Sequence, residues 1–155
     1  VYTPADAWPV MRAWLGDGFE YRPQADGDLG ARLSAAFQAA FAAGAPAAAA
    51  IGTDCVALTA AQLAEALRCA AAREADLVLG PAEDGGYWLI AMGRMRPEVF
   101  RDIPWGTERV LDTTLARALE AGLGRHPSGS DNKAVRLLDR LPDVDRVEDV
   151  PSEVL

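Results

Sequence analysis

An acidic residue follows a short apolar run in AAAAIGTDCVALT, which covers residues 47–59. Buried strands avoid charge unless a partner is present, because an unpaired charge in an apolar interior is costly. Asp54 therefore either hydrogen-bonds to nearby backbone amides at the end of a strand, or it faces a cation or another ligand. This residue alone does not decide between the two interpretations, so the other acidic groups must be considered with it.

A second acidic group lies in LPDVDRVED, which covers residues 141–149. In an extended chain Asp143 and Asp145 point to the same side. Two carboxylates about 6 Å apart repel by roughly 3 kcal/mol at an effective dielectric constant near 20, and a bound divalent cation would remove that cost. The alternative is that both are solvated turn residues. Glu148 stands where an EF-hand loop requires glycine, and a ligand set of oxygen atoms favours Mg²⁺ or Mn²⁺ over zinc.

Glycine-bearing segments provide two further candidates for ligand contact. PAEDGGYWLI, which begins at Pro81, is typical of a hairpin turn between two strands. Alternatively, Gly85 and Gly86 let a ligand approach the backbone while Asp84 accepts a hydrogen bond from a sugar or hydroxyl group. RPQADGDLGARL, which begins at Arg22, is a loop running into a helix start. It could offer backbone amides to a nucleotide, but it matches no phosphate-binding fingerprint.

Trp105 lies in IPWGTERV, just before a predicted helix. An aromatic residue at such a position is either a packing residue or a platform on which a ligand stacks. Packing is the more common role for an aromatic residue placed next to a helix cap. Both interpretations are kept at this point.

Composition excludes several classes of partner. The net charge is −8, from 23 acidic and 15 basic residues, which disfavours a nucleic-acid polymer or an anionic membrane as partner. A single histidine excludes a histidine-rich metal site. Cys55 and Cys69 lack a metal-ligand spacing and are expected to be reduced core thiols of a cytoplasmic protein. The uncharged run over residues 33–53 is mostly alanine, interrupted by a glycine and a proline, which favours a helix, a loop and a strand over a membrane span.

Strands and helices alternate along the predicted chain. The pair of Thr59 and Gln62 predicts a capping box at one helix start, and Thr107 is predicted to cap another helix that ends at Gly122. Alternation of this kind indicates an α/β fold with a mostly parallel sheet, in which ligands bind at the carboxyl ends of the strands. The remaining helices are predicted over residues 5–15, 28–43 and 146–154, the strands over 1–3, 47–52, 76–80, 87–92 and 134–141, and an exposed loop over 124–133.

Five of these segments together resemble the bacterial family called domain of unknown function 2064. Its members are GT-A-type proteins regarded as glycosyltransferases, and they are similar to the 2-phospho-lactate and molybdenum-cofactor guanylyltransferases. The order and spacing of the segments extend over nearly the whole chain. The segments are QADGDLGARL (24–33), IGTDCVALT (51–59), LGPAEDGGYWLI (79–90), IPWGTERVL (103–111) and LPDVDRVEDV (141–150).

The resemblance implies a role for each matching residue. It implies a Mg²⁺ or Mn²⁺ site formed by Asp54, Asp143 and Asp145, with Asp54 and Asp84 as catalytic residues. It implies a nucleotide-binding loop and a second group of residues on the sugar or acceptor side. The nucleotide-binding residues are Gln24, Gly27, Asp28 and Gly30, and the substrate-binding residues are Gly85, Gly86, Tyr87, Trp105 and Thr107.

The front of the family pattern is absent from this chain. Family members begin with a strand, a loop bearing glycine, proline and Lys-Thr-Arg, and a first helix, whereas this chain starts at Val1 and its single lysine is Lys133. The resemblance therefore implies one GT-A-type domain over residues 1–155 that is N-terminally incomplete. We expect upstream residues to complete the sheet; a homodimer that lends a strand and a sheet that closes up are the alternatives.

The expected function is metal-dependent transfer from an activated nucleotide donor to a small-molecule acceptor. The favoured reaction is glycosyl transfer from a nucleotide-sugar, in which the metal neutralises charge that develops on the phosphates. Nucleotidyl transfer of the guanylyltransferase type is the first alternative. A non-catalytic protein that only binds a nucleotide or a sugar is the second.

Overall fold

The computed structural model describes residues 1–52, 55–123 and 135–142. Strands and α-helices alternate along these ranges, as the sequence predicts. The strands are β1 (Tyr2–Thr3), β2 (Arg22–Pro23), β3 (Ala48–Ile51), β4 (Leu77–Pro81), β5 (Tyr87–Met92) and β6 (Val135–Leu137). The α-helices are α1 (Trp8–Leu15), α2 (Leu29–Ala42), α3 (Ala60–Ala71) and α4 (Val110–Glu120), and short 3₁₀ helices cover Ala5–Ala7 and Pro97–Phe100.

The strands form two sheets. β1 and β2 are parallel neighbours in a two-stranded sheet, with α1 as the connection between them. The four-stranded sheet has the order β3-β5-β4-β6, in which β5 is antiparallel to both of its neighbours and β4 is parallel to β6. β3, β4 and β6 therefore run in the same direction. Their carboxyl ends and the start of β5 lie at one edge of this sheet.

Helices cover both faces of the four-stranded sheet. Side chains alternate between the faces, so that Leu77 and Leu79 of β4 pack in one core cluster while Val78 packs in the other. The first cluster includes Phe37 of α2 and Leu111 of α4, and the second cluster includes residues of α3. This layered arrangement is the α/β architecture predicted from the sequence. The larger sheet is mixed where a mostly parallel sheet was predicted, because β5 follows β4 through a hairpin turn and pairs antiparallel with β3 and β4. The prediction of a single domain over residues 1–155 stays a prediction.

Most predicted elements are confirmed with small shifts at their ends. The capping box at α3 is present, since the Thr59 hydroxyl accepts a hydrogen bond from the Gln62 backbone amide and the Gln62 side-chain oxygen accepts one from the Thr59 backbone amide. The predicted strand over 134–141 is shorter, because pairing ends at Leu137 and resumes only as a single bridge at Leu141. The helix predicted over 146–154 and the loop predicted over 124–133 lie outside the described residues.

The prediction that Thr107 caps a helix is wrong. α4 begins three residues later, and Arg109 at its N-cap makes no side-chain capping bond. The Thr107 hydroxyl instead donates to the Pro104 carbonyl at 2.7 Å and accepts from the Arg109 amide at 3.3 Å. Thr107 therefore stabilises a turn that precedes the helix, because its hydroxyl joins the backbone on both of its sides.

β3 is an edge strand among the residues that the structure describes. The Gly52 amide donates to the Trp88 carbonyl at 3.0 Å, so in the alternating antiparallel pattern the Ala50 amide faces β5 while the amides of Ala49 and Ile51 face away from it. The Ile51 side chain is also 45% exposed. Within the described ranges, no helix has both the length and the apolar character needed to cross a membrane.

Candidate active site at the carboxyl edge of the sheet

The turn between β4 and β5 is the centre of the candidate site. Its Asp84 carboxylate accepts a hydrogen bond from the Gly86 amide at 2.7 Å, and the Ala82 amide donates to the Gly86 carbonyl at 3.1 Å. One Asp84 oxygen is thus used to close the turn. The side chain itself is exposed at the carboxyl edge of the sheet.

Gly85 joins this turn to the start of α4. Its carbonyl accepts a hydrogen bond from the Leu111 amide at 2.9 Å, and its φ is +88°. A Cβ atom at this position would overlap the carbonyl oxygen of Glu108. A glycine is therefore required here by the backbone conformation and by the close approach of the segment before α4.

Trp105 connects this turn to the N-terminus of α2. Its ring packs edge-to-face against Tyr87, with the ring centroids 6.2 Å apart. On its other side, a Cβ atom at Gly30 would lie 3.0 Å from the indole nitrogen of Trp105 and would clash with the Phe100 carbonyl oxygen. Trp105 is thus a packing residue in this structure. The same packing brings Gly30, Trp105 and Tyr87 together.

Tyr87 is largely enclosed at the start of β5. Burial raises the pKa of its phenol, and the neighbouring Thr114 hydroxyl opposes this rise. Neither hydroxyl, nor the indole nitrogen of Trp105, has a partner of good hydrogen-bond geometry among the described residues. The sequence predicted Tyr87 as a substrate-binding residue, and the structure gives its ring a packing role next to the turn.

The loop before α2 carries the predicted nucleotide-binding residues. The Gln24 amide donates to the Thr3 carbonyl at 3.0 Å, which ties the start of the loop to β1. Asp28 is the N-cap of α2 and accepts from the Ala31 amide at 2.8 Å. Gly27 adopts a φ of +103°. The loop is thus held at both ends, while residues 25–29 are exposed.

The segment 138–142 fastens the last described part of the chain to the same edge. The Arg140 side chain donates to the Ala82 carbonyl at 2.6 Å, and the Trp88 indole donates to the Asp139 carbonyl at 3.3 Å. The Leu141 amide donates to the Pro81 carbonyl at 3.1 Å. The last described residue, 142, therefore lies near the turn that contains Asp84.

The three predicted metal ligands, Asp54, Asp143 and Asp145, lie outside the described residues. Two described residues near them along the chain are Gly52, which follows β3, and Leu141, which pairs beside β4. Both residues belong to the carboxyl edge of the four-stranded sheet. In the described ranges there is no cluster of three or more His, Cys, Asp or Glu side chains that could hold a metal ion.

Several residues of this region were missed by sequence reasoning. Arg32 contacts the loop before α2, Arg140 contacts the turn, and Trp88 anchors the segment 138–142. The two arginines belong to no recognised motif: Arg32 bonds to oxygens of the loop just before it, and Arg140 bonds to a carbonyl 58 residues away in sequence. A surface cavity of about 450 Å³ lies elsewhere and is lined by Trp8, Pro9, Arg12, Glu20 and Tyr21.

Comparison with protein families identifies a family model that matches most of this chain. The model of domain of unknown function 2064, described as an uncharacterized protein conserved in bacteria, matches residues 1–107. The chain belongs to this family. The DUF2064 match includes the loop before α2, the turn between β4 and β5, and both Trp105 and Thr107. The resemblance noted from the sequence is therefore confirmed.

A solved structure shares the fold of this DUF2064 family member. It is the crystal structure of a candidate nucleotide-diphospho-sugar transferase from Desulfovibrio desulfuricans G20, with 30% sequence identity and a TM-score of 0.77 over 92% of this chain. This likeness confirms the predicted fold class. The chain spans 58% of the length of that protein. A search of curated proteins found no match.

Proposed function

We propose that this protein is a metal-dependent transferase that moves a glycosyl group from a nucleotide-diphospho-sugar to a small-molecule acceptor. The observation that carries the proposal is the likeness to the Desulfovibrio protein, which extends over 92% of this chain at 30% identity. A likeness of this extent transfers the fold, and the site must supply the argument for function. The candidate site lies at the carboxyl edge of the sheet, where α/β folds bind their ligands.

The loop before α2 is the proposed nucleotide side. Gln24 offers its side-chain amide, and the exposed Gly27 leaves backbone accessible beside an ordered helix N-terminus, while Gly30 is buried and supports the loop through its packing against Trp105. Asp28 shapes the loop through its capping bond. Because residues 25–29 are exposed, a nucleotide could approach this loop without any rearrangement of the core.

The proposed metal ligands are Asp54, Asp143 and Asp145, which would hold Mg²⁺ or Mn²⁺ through carboxylate oxygens. The metal would neutralise the diphosphate as it leaves. β3 and β6 are three strand spacings apart, or about 14 Å. A cation shared by all three residues therefore requires the two acidic segments to converge from opposite sides of the sheet edge.

The turn between β4 and β5 is the proposed acceptor side. One oxygen of Asp84 closes the turn, and its other oxygen is available to accept a proton from an acceptor hydroxyl. Gly85, Gly86 and Tyr87 form the adjoining backbone. Trp105 and Thr107 border the same side, with Trp105 as the link to the nucleotide loop.

Isothermal titration and product analysis test this proposal. We expect UDP or GDP to bind the protein more tightly with Mn²⁺ than without it, and a nucleotide-sugar to release a nucleoside diphosphate on incubation with an acceptor. Release of pyrophosphate from a nucleoside triphosphate would instead identify a nucleotidyltransferase. Binding that is absent or independent of metal would support a non-catalytic protein and contradict the proposal.

Variants of the acidic residues test the metal site separately. Asp54→Asn and Asp145→Asn are each expected to weaken Mn²⁺ binding at least tenfold, because each removes one charged ligand. Asp17→Asn is the matched control, since Asp17 is an exposed carboxylate whose ion pair in the described structure is with Arg12. If Asp54→Asn and Asp145→Asn both bind Mn²⁺ as the control does, the proposed metal site is wrong.

A further inference from the structure

Arg32 holds the proposed nucleotide loop in a defined shape. Its Nε donates to the Gly27 carbonyl at 3.0 Å, and its Nη1 donates to the Gln24 side-chain oxygen Oε1 at 3.2 Å. Arg32 lies in the first turn of α2, so these bonds connect the helix to a residue eight positions earlier. Among the described residues it forms no ion pair with a carboxylate.

The contact between Arg32 and Gln24 determines which way the Gln24 amide faces. A guanidinium group can only donate hydrogen bonds, whereas a glutamine amide carries one acceptor and one donor end. The end of Gln24 that faces Arg32 must therefore be the oxygen. The reverse orientation would place an NH₂ group against N–H donors. Gln24 consequently turns its NH₂ group away from Arg32.

We propose that Arg32 is a specificity-determining residue that makes Gln24 a hydrogen-bond donor to the nucleotide base. Uracil presents the carbonyl O4 where cytosine presents an amino group, and guanine presents the carbonyl O6 where adenine presents an amino group. A fixed NH₂ group favours the carbonyl-bearing base of each pair, because the amino-bearing base would leave donors facing each other. This inference rests on the proposed function, in which Gln24 contacts the donor nucleotide.

The surroundings of Gln24 fit this role. Its side chain is half-buried, its backbone amide is bonded to the Thr3 carbonyl, and the following residues are exposed. The backbone amide and the Oε1 atom are therefore both committed to the protein, and the NH₂ group is the end of the Gln24 side chain that is left for a ligand. Without Arg32 the amide could rotate and accept from an amino group as readily as it donates to a carbonyl.

The test uses two matched pairs of nucleotides, UDP with CDP and GDP with ADP, each titrated calorimetrically in the presence of Mn²⁺. For the wild-type protein we expect the carbonyl-bearing member of a pair to bind about tenfold more tightly, the upper end of what one good hydrogen bond contributes. Arg32→Met should reduce this ratio to about two, while far-UV circular dichroism stays unchanged because Arg32 is exposed.

Gln24→Glu provides a variant with a predicted reversal. A glutamate keeps an oxygen against Arg32 but replaces the NH₂ donor by a second acceptor, so CDP and ADP should bind more tightly than UDP and GDP. Arg94→Met is the control, because Arg94 lies at the opposite edge of the sheet, where it donates a 3.0 Å hydrogen bond to Asp76. This variant should leave the binding ratios unchanged.

The outcomes separate the inference from the proposed function. If nucleoside diphosphates bind but Arg32→Met and Gln24→Glu keep the wild-type ratios, the role of Arg32 is wrong while the proposed function stands. If the wild-type protein binds no nucleoside diphosphate, the proposed function is wrong and the inference fails with it. A wild-type ratio near one in both pairs would likewise overturn the role of Arg32.

Discussion

Gly85 lies where the turn between β4 and β5 meets the segment before α4. Gly85→Ala should lower the free energy of unfolding by roughly 2–4 kcal/mol, since a methyl group adds left-handed strain and also overlaps the Glu108 carbonyl. Gly106 has a φ of +75° but open space around it, so Gly106→Ala should cost only about 1 kcal/mol of left-handed strain. Urea denaturation measures both. Equal losses would contradict the close approach at Gly85.

Tyr87 gives the protein a specific response to alkali. Burial raises the pKa of its phenol above the ordinary value of 10.0, so above pH 10 the unfolded chain loses this proton while the folded protein keeps it. The free energy of unfolding should then fall by about 1.4 kcal/mol per pH unit through this group. Below pH 10 the contribution of the neutral Tyr87 phenol to the free energy of unfolding is fully present.

Tyr87→Phe tests this response through urea denaturation at pH 8 to 11. The variant should lose less stability than the wild type above pH 10, and the two should differ little at pH 8 because the hydroxyl has no partner of good geometry in the described structure. Tyr2→Phe is the control, since Tyr2 is 38% exposed. Parallel pH profiles for wild type and Tyr87→Phe would show that burial of Tyr87 does not oppose its ionisation.

At the scale of elements, β3 has one paired side and one open side. The amides of Ala49 and Ile51 face away from β5, whereas those of Ala50 and Gly52 face it. We expect the first two to exchange with deuterium at least tenfold faster than the second two, because only a paired amide requires an opening event before exchange. Amide exchange followed by NMR measures this. Equal protection of all four amides would mean that another segment or another molecule covers the edge.

The elements themselves were largely predictable from local patterns. Apolar spacing predicted α2, and the pair Thr59 and Gln62 predicted the start of α3, because both signals lie within one turn or one helix face. The prediction that Thr107 caps α4 failed because the Thr107 hydroxyl donates to the Pro104 carbonyl, a contact that the preceding turn determines. Propensity does not encode such competition between local hydrogen bonds.

The location of the candidate site was predictable from the sequence, whereas the contacts between its residues were not. The alternation of strands and helices predicted that ligands bind at the carboxyl edge, and the turn with Asp84 does lie there. Gly30 and Trp105 are 75 residues apart in sequence, and Trp105 and Tyr87 are 18 residues apart, so no periodicity could indicate these contacts. The fold brings these segments together, and only tertiary structure reveals the packing.

At the scale of the whole molecule, the strands of the larger sheet differ in how much chain separates them. β4 and β5 are joined by the five residues 82–86, whereas β6 pairs with β4 after more than fifty intervening residues. Closing a long loop costs more conformational entropy than closing a short one. The sheet therefore combines one local pairing with one distant pairing around the same central strand.

The anchoring of segment 138–142 by Trp88 has a consequence for the order in which the molecule assembles. The Trp88 ring occupies the space above Gly80 and donates to the Asp139 carbonyl, so its site is complete only after β4 and β5 have paired and the distant segment has arrived. We expect the β4–β5 hairpin to be formed in the folding transition state and the 138–142 segment to dock afterwards. Ile90→Val should then slow refolding, whereas Leu138→Ala should mainly speed unfolding. Stopped-flow chevron plots of both variants measure these rates. If Leu138→Ala refolded as slowly as Ile90→Val, segment 138–142 would already be docked in the folding transition state.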